Sequence, residues 1–404
     1  VRYNLELLSN AANEDRNRMD KTTRIPIVSA SVVTAFGVGI DSLWQGLMAD
    51  RCAIAPVQRF DVTGCHAQKA ACMPSLDAVF QAGASRSAMH ALLDMLPAQP
   101  VPADAWVLTA STKAGVDNLL KQAAGRPADP DDMFGGNLPA QVARRLNAQG
   151  PGFNINAACA SATIALARAA QLIDSGLAEV VAVGCLDMVT RFVFSGFCAL
   201  RAVSPGGAKP FDRDRDGLNL GEGAALLVLM SETRARQENC HPLGYLVGWG
   251  MAADAAHLTA PARDGCGLAA AVMQAMRHAG VGAGDIAAIS AHGTGTVYND
   301  AMELTAFEQV FGAHVPVIHS AKGAIGHTLG AAGGIETALA LEMLKRRQAP
   351  PTVGCARPDA RAQGKVFNHG VSFCGRHALT TNSGFGGINA ALILEGAETD
   401  HRTF

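Results

Sequence analysis

The sequence has no C-x-x-C pair, no long apolar run and no marked excess of either charge. Its ten cysteines are Cys52, Cys65, Cys72, Cys159, Cys185, Cys198, Cys240, Cys266, Cys355 and Cys374. Without C-x-x-C spacing they do not read as a zinc site or a thioredoxin-like dithiol. In a chain of 404 residues their even number does not call for a disulfide framework, and they read as reduced, cytoplasmic thiols. A net charge of -2 supplies no basic field for nucleic acid. A membrane helix needs about 20 apolar residues. The longest run here, Ala224 to Met230, is far shorter and reads as a buried strand. Val1 to Lys21 is polar and lacks an apolar h-region, so it does not read as a secretory signal.

Hydrophobic residues make up 49% of the chain and charged residues 17%. That balance fits a compact globular enzyme with much buried surface, a subunit interface included. Strand-like and helix-like stretches alternate. Strands are expected at Arg24–Val33, Ala105–Ala110, Glu179–Cys185, Ala224–Ser231, Tyr245–Trp249, Ile286–Ala291, Pro316–Ile318, Gly370–Phe373 and Ala390–Leu394. Helices are expected from Asp41 to Leu47, Lys113 to Ala124, Asn137 to Asn147, Cys266 to Ala279, Asp300 to Phe311 and Gly333 to Leu344. From Arg51 to Gln99, Pro, Gly and Ser break the periodicity, and a surface subregion is expected. Alternation at this density implies parallel-type sheets covered by helices. A small-residue loop feeds an Ala-rich helix once near Cys159 and again near Gly333, which hints at a duplicated architecture.

The stretch Asn156-Ala157-Ala158-Cys159-Ala160-Ser161-Ala162 precedes an Ala- and Leu-rich run reaching Ile173, with Gly176 placed as a C-cap. Cys159 therefore falls at a helix N-terminus, where unpaired amides and the macrodipole favour thiolate. A free cysteine is more often a packing residue than a nucleophile. Three glycine-bearing motifs downstream argue for chemistry. They are Ala291-His292-Gly293-Thr294-Gly295-Thr296, Ser320-Ala321-Lys322-Gly323-Ala324-Ile325-Gly326-His327, and Asn382-Ser383-Gly384-Phe385-Gly386-Gly387. Glycine lets backbone approach a ligand closely. A Cys nucleophile with two His donors can form a thioester and stabilise an oxyanion or enolate.

Cys159, His292 and His327 in these settings resemble the Cys-His-His set of the β-ketoacyl-acyl carrier protein synthases. The resemblance runs from about Arg24 to Glu395 and takes in Pro210-Phe211-Asp212, Gly221-Glu222-Gly223-Ala224, Asn299-Asp300 and the glycine motifs. It implies the thiolase fold: α/β, two similar βαβ-rich halves in five layers, αβαβα. The expected divisions are a flexible leader at 1–23, a first half at 24–235 with Cys159, a second half at 236–397, and a tail at 398–404. The second half would carry His292, Lys322, His327 and the Gly384–Gly387 loop.

The resemblance also implies a function: acyl transfer from acyl carrier protein to Cys159, then decarboxylative condensation with the malonyl-carrier protein, in fatty acid or polyketide synthesis. The backbone amides of Cys159 and Phe385 would form the oxyanion hole. Lys322 with Glu336 would hold His327. Thr294 and Thr296 would line the pantetheine path. Phe385, with Gly384, Gly386 and Gly387, would gate the acyl pocket, and Arg201 would help to dock the carrier protein. No bound cofactor is expected, because substrates ride on the carrier's 4'-phosphopantetheine. A homodimer or a heterodimer with a chain-length factor is implied, with no metal, nucleic acid or membrane span. The alternative is a non-catalytic, chain-length-factor-like partner, which the presence of Cys159 and both histidines opposes. A thiolase would carry a second catalytic cysteine, and Cys374 lacks the C-x-G context for it. The family usually writes its last loop N-S-F-G-F-G-G; here it is one aromatic short.

Overall fold

A computed structural model describes residues 23–81, 85–97 and 101–397. The expected leader, up to residue 22, and the tail at 398–404 lie outside the described residues. Ten strands follow one path through the main sheet, and a two-residue strand, Gly37–Val38, pairs with the first of them. In chain order they are β1 (Ile25–Thr34), β2 (Trp106–Ala110), β3 (Gly152–Ile155), β4 (Val180–Asp187), β5 (Gly223–Met230), β6 (Gly244–Ala253), β7 (Ile286–Ser290), β8 (Val317–His319), β9 (His377–Gly384) and β10 (Ile388–Gly396).

The spatial order is β8-β7-β9-β10-β6-β1-β5-β4-β2-β3. Each half repeats one pattern. In the first, β3, β2 and β4 run parallel and β5 and β1 return antiparallel. In the second, β8, β7 and β9 run parallel and β10 and β6 return antiparallel. The duplication hinted at by two Ala-rich helices is thus explicit in the strand order. The sheets are mixed, not wholly parallel: β9–β10 is a direct hairpin, and β4 and β5 pair antiparallel although the helix Arg191–Ala199 lies between them in the chain. The halves meet where Ile25, Pro26 and Ile27 pair with Leu246, Tyr245 and Gly244.

Six helices organise the layers: α1 (Leu138–Leu146), α2 (Ser161–Asp174), α3 (Arg191–Ala199), α4 (Cys266–Ala279), α5 (Val297–Phe311) and α6 (Ala332–Arg346). Helices α2 and α6 touch each other and strands of both halves, so they form the middle layer. Helix α1 covers β2 and β3 on one outside, and α4 covers β6 and β10 on the other, with α5 against α4. This is the five-layer αβαβα arrangement. Helix α6 is buried from Ala332 to Leu344, as a helix between two sheets must be. Strands β4 and β5 are buried along their whole length, which is why they read as continuous apolar runs.

Several elements differ from expectation, among them β3 and α3, which local periodicity did not mark. Gly370–Phe373 yields only Val371–Ser372, which pairs with Gln348–Ala349 away from the main sheet. The strand beside β10 is β9, whose Thr380, Thr381 and Asn382 are buried polar residues and mask the apolar signal. Nor is the region from 51 to 99 only surface. Met73, Leu76, Met89, Leu92 and Leu93 enter the core beneath β4 and β5.

Glycine sets the spacing of the middle layer. A Cβ at Gly334 would lie 2.8 Å from the Cys185 sulfur and 3.1 Å from the Ala225 Cβ. Gly334→Ala is therefore expected to destabilise the protein by about 1–3 kcal/mol despite its better helix propensity. Gly196→Ala in α3 meets no atom within 4 Å and should be neutral or stabilise by up to about 1 kcal/mol. Denaturant melts of the two variants check the contrast.

Candidate active site

The site is built at the ends of strands from both halves. Strand β3 turns sharply into α2 through Asn156–Ala160. Ala158 adopts φ +50°, a left-handed conformation uncommon for a residue with a side chain. The turn is held by Ser161, whose hydroxyl accepts the Ala157 N–H at 2.9 Å and donates to the Ala158 carbonyl at 2.5 Å. Cys159 stands two residues before α2 and is buried.

The β9–β10 hairpin closes over this turn. Its register pairs Gly384 with Ile388, leaving Phe385, Gly386 and Gly387 as the connection. Gly386 and Gly387 have φ +91° and +76°, which glycine adopts freely. A Cβ at Gly384 would come within 2.9 Å of the Ala157 carbonyl and 3.3 Å of the Cys159 nitrogen. Glycine there lets the hairpin sit directly on the nucleophile turn. The Phe385 backbone amide then sits close enough to the Cys159 sulfur to favour its thiolate. The Phe385 ring stacks on Phe197 of α3, with centroids 5.6 Å apart.

His292 follows β7, and His327 follows a short helix, Lys322–Ile325. The Cys159 sulfur and one ring nitrogen from each histidine lie within 4.8 Å of one another. The rings meet edge to face, with centroids 5.1 Å apart. His327 Nδ1 accepts the Leu329 N–H at 3.3 Å. A neutral ring with an occupied Nδ1 carries its proton on Nε2, and that Nε2 is buried with no partner. His292 Nδ1 accepts from Asn382 Nδ2 at 3.1 Å, which sets the same tautomer. Burial holds both histidines well below the usual imidazole range, and the Lys322 charge adds to it. The site thus presents two neutral N–H donors beside a thiol. Cys and His suit a soft metal by element type, but His327 offers a proton here rather than a lone pair.

Behind the histidines runs a buried chain. Lys322 Nζ bonds Glu336 Oε1, and Asn382 Nδ2 donates to Glu336 Oε2 at 2.8 Å as well as to His292. The Asn382 oxygen accepts from Thr163 Oγ1 of α2. Lys322 is thus placed with Glu336, as expected, but the link runs on to His292. The partner of His327 is a backbone amide. Burial raises the Glu336 carboxyl against the pull of Lys322. Glu303 fastens the His292 turn by accepting the His292 and Gly293 N–H groups at 2.8 and 2.6 Å. Burial and nearby Asp300 push Glu303 up to about 8.

A cavity of about 360 Å³ reaches Cys159, His292 and His327 past Thr294, Thr296 and Phe385. Thr294 and Thr296 share a hydroxyl–hydroxyl bond of 2.9 Å. Exposed Arg201, with Leu200 and Tyr298, stands at the rim of that cavity. Gly386 and Gly387 do not line it; they turn the hairpin. One sequence motif contained Asn382, and Glu303 lies just beyond another, but neither had a role there, because their work depends on contacts 46–90 and 10–11 residues away. Phe197 carried no signal of its own.

Two family models match the chain. One described as the β-ketoacyl synthase N-terminal domain matches residues 104–235, and one described as the C-terminal domain matches 243–356. The chain belongs to the β-ketoacyl synthase family. A relative from Rhizobium meliloti, 3-oxoacyl-[acyl-carrier-protein] synthase 2, is 31% identical over 92% of this chain and 98% of its own. A putative polyketide β-ketoacyl synthase 1 from Streptomyces cyaneus is 29% identical over 93% and 98%. Among solved structures, the ishigamide ketosynthase/chain length factor matches with TM-score 0.80 and 29% identity, covering 94% of this chain and 100% of that one. The expected acyltransferase class and thiolase fold stand with the family. No helix among the described residues is long and apolar enough to cross a membrane.

One expectation is reversed. The helix N-terminus was to favour thiolate, but burial pushes the Cys159 thiol up to about 11, against Lys322, the Phe385 amide and Lys113. The sulfur is desolvated more strongly than the local charges compensate. Alkylation of Cys159 by iodoacetamide should therefore climb with pH from 7 to 10 without levelling off. A plateau by pH 8, read by peptide mass, would contradict this.

Proposed function

We propose that this synthase elongates an acyl chain held on Cys159 by decarboxylative condensation with a malonyl group on acyl carrier protein. The observation that carries the reading is the unpartnered Nε2–H of buried His327 beside the Cys159 sulfur. A buried donor without a partner costs roughly 1–3 kcal/mol, which is recovered when an oxyanion arrives.

In the first half-reaction the Cys159 sulfur attacks the thioester of an acyl-phosphopantetheine. The Cys159 and Phe385 amides hold the carbonyl oxygen. The C–S bond to pantetheine breaks, and the thiol proton leaves with the released pantetheine thiol. In the second, malonyl-pantetheine enters along Thr294 and Thr296. Its carboxylate departs as CO2, and the electron pair left behind forms an enolate whose oxygen takes hydrogen bonds from His292 and His327. Neutral imidazoles suit this step, since they donate without having to give up a charge. The enolate carbon attacks the Cys159 thioester, and the cysteine leaves as thiolate and regains a proton from solvent. Lys322, Glu336 and Asn382 act as positioning residues through His292. Arg201 at the rim is assigned to carrier-protein docking. Substrates arrive covalently carried, so no resident cofactor is invoked.

The complete Cys-His-His set counts against a non-catalytic partner role. A second subunit, either another copy or a chain-length factor, is part of the proposal. Strand β3 pairs only with β2 among the described residues, and Phe153 and Phe134 are exposed beside its open edge. Open edges are normally covered. The pairing named for the ishigamide proteins is in keeping with that.

Incubation with acyl- and malonyl-carrier proteins, followed by CO2 release and product mass, tests the reading. Cys159→Ala should abolish condensation; full turnover in that variant would remove Cys159 as nucleophile. His327→Ala should slow decarboxylation by about 100- to 1000-fold while Cys159 acylation, read by intact mass, falls much less. Equal loss of both steps would contradict the assigned roles.

A further inference from the structure

Cys159 is approached from two sides. The cavity comes from the side of His292, Thr294 and Tyr298. On another side lies the 111–116 segment after β2, none of whose residues lines that cavity. Asn156 ties this segment to the nucleophile turn. Its Nδ2 donates to the Thr112 carbonyl at 3.1 Å, and its Oδ1 accepts the Ala158 N–H at 3.3 Å. Lys113 Nζ donates to that same Thr112 carbonyl at 3.3 Å. An exposed ammonium is thus anchored beside the turn, and its charge reaches the Cys159 sulfur. Buried Asp187, the acid that opposes Lys113 at the Cys159 sulfur, is itself engaged by the Ser111 hydroxyl, the Thr112 hydroxyl and amide, and the Gly330 amide. Nothing in the condensation chemistry above uses Lys113.

An acyl group on Cys159 must leave the pantetheine path free for the second substrate, so it extends away from the cavity. We infer that Lys113 is a specificity residue that favours acyl groups bearing an anionic substituent, such as a terminal carboxylate, over alkyl groups of the same length. A carboxylate there gains an ion-pair partner, whereas an alkyl chain strips water from an ammonium and returns nothing. The acyl assignment rests on the condensing reading; the charge effect on Cys159 does not.

The test has two arms, both on the full chain. Iodoacetate and iodoacetamide differ essentially in charge, and their rates at Cys159 are read by peptide mass. Lys113→Met should lower the iodoacetate-to-iodoacetamide ratio by up to about fivefold, the size of an exposed ion pair. Lys113→Arg should keep the ratio, and high salt should shrink the difference between wild type and Lys113→Met. An unchanged ratio in Lys113→Met overturns the inference. In the second arm, succinyl- and butyryl-carrier proteins compete for Cys159. Wild type should prefer succinyl, and Lys113→Met should lose that preference. Equal acylation by both in wild type overturns the inference. A shifted alkylation ratio with no acylation by any carrier protein overturns the condensing reading, and the acyl assignment with it.

Discussion

A lysine taken wholly out of water must be matched by a charge and by hydrogen bonds, and much of this site is arranged around meeting that demand for Lys322. Its partner, Glu336, comes from α6, the helix that touches strands of both halves. The other carboxylate oxygen is satisfied by Asn382 of β9, and Asn382 in turn by Thr163 of α2. One ion pair thereby fixes the middle layer against the second half's sheet and sets the orientation of His292. Removing one member of such a pair typically costs about 3–5 kcal/mol, because the other is left buried and uncompensated. The cost is tolerable in a core of this size. Burial is the larger cause of the neutrality of both imidazoles, and the Lys322 charge adds to it.

The nucleophile follows a different economy. Cys159 is held on a strained turn and covered by a glycine hairpin, so its sulfur is buried and weakly acidic. The Phe385 amide and one ring nitrogen from each histidine converge on the Cys159 sulfur, the nitrogens and the sulfur lying within 4.8 Å of one another. Dipoles fixed in this way need not reorganise as charge develops.

The chemistry was legible in the sequence to the extent that it lay in contiguous motifs. Cys159, His292, Lys322 and His327 each sit in a run of small residues, and a Cβ at Gly293, Gly323 or Gly326 would meet another atom within 2.6 Å, so these runs also serve close packing. The duplicated halves were legible only as two Ala-rich helices, since strand order is a long-range property that local periodicity does not carry. Strand β9 was hidden because Thr380, Thr381 and Asn382 are buried polar residues, and Thr381 and Asn382 bond Glu303, His292 and Glu336 instead of packing as an apolar core. The state of the thiol was misread for a related reason. A helix N-terminus can be recognised from neighbours in sequence, whereas desolvation is contributed by residues from several distant elements.

In Phe385 the aromatic ring that walls the cavity and the amide that sits by the sulfur belong to one residue, on a connection of only three. Ring and amide cannot travel independently. Any movement that takes the ring from the cavity wall therefore also takes the amide from the Cys159 sulfur.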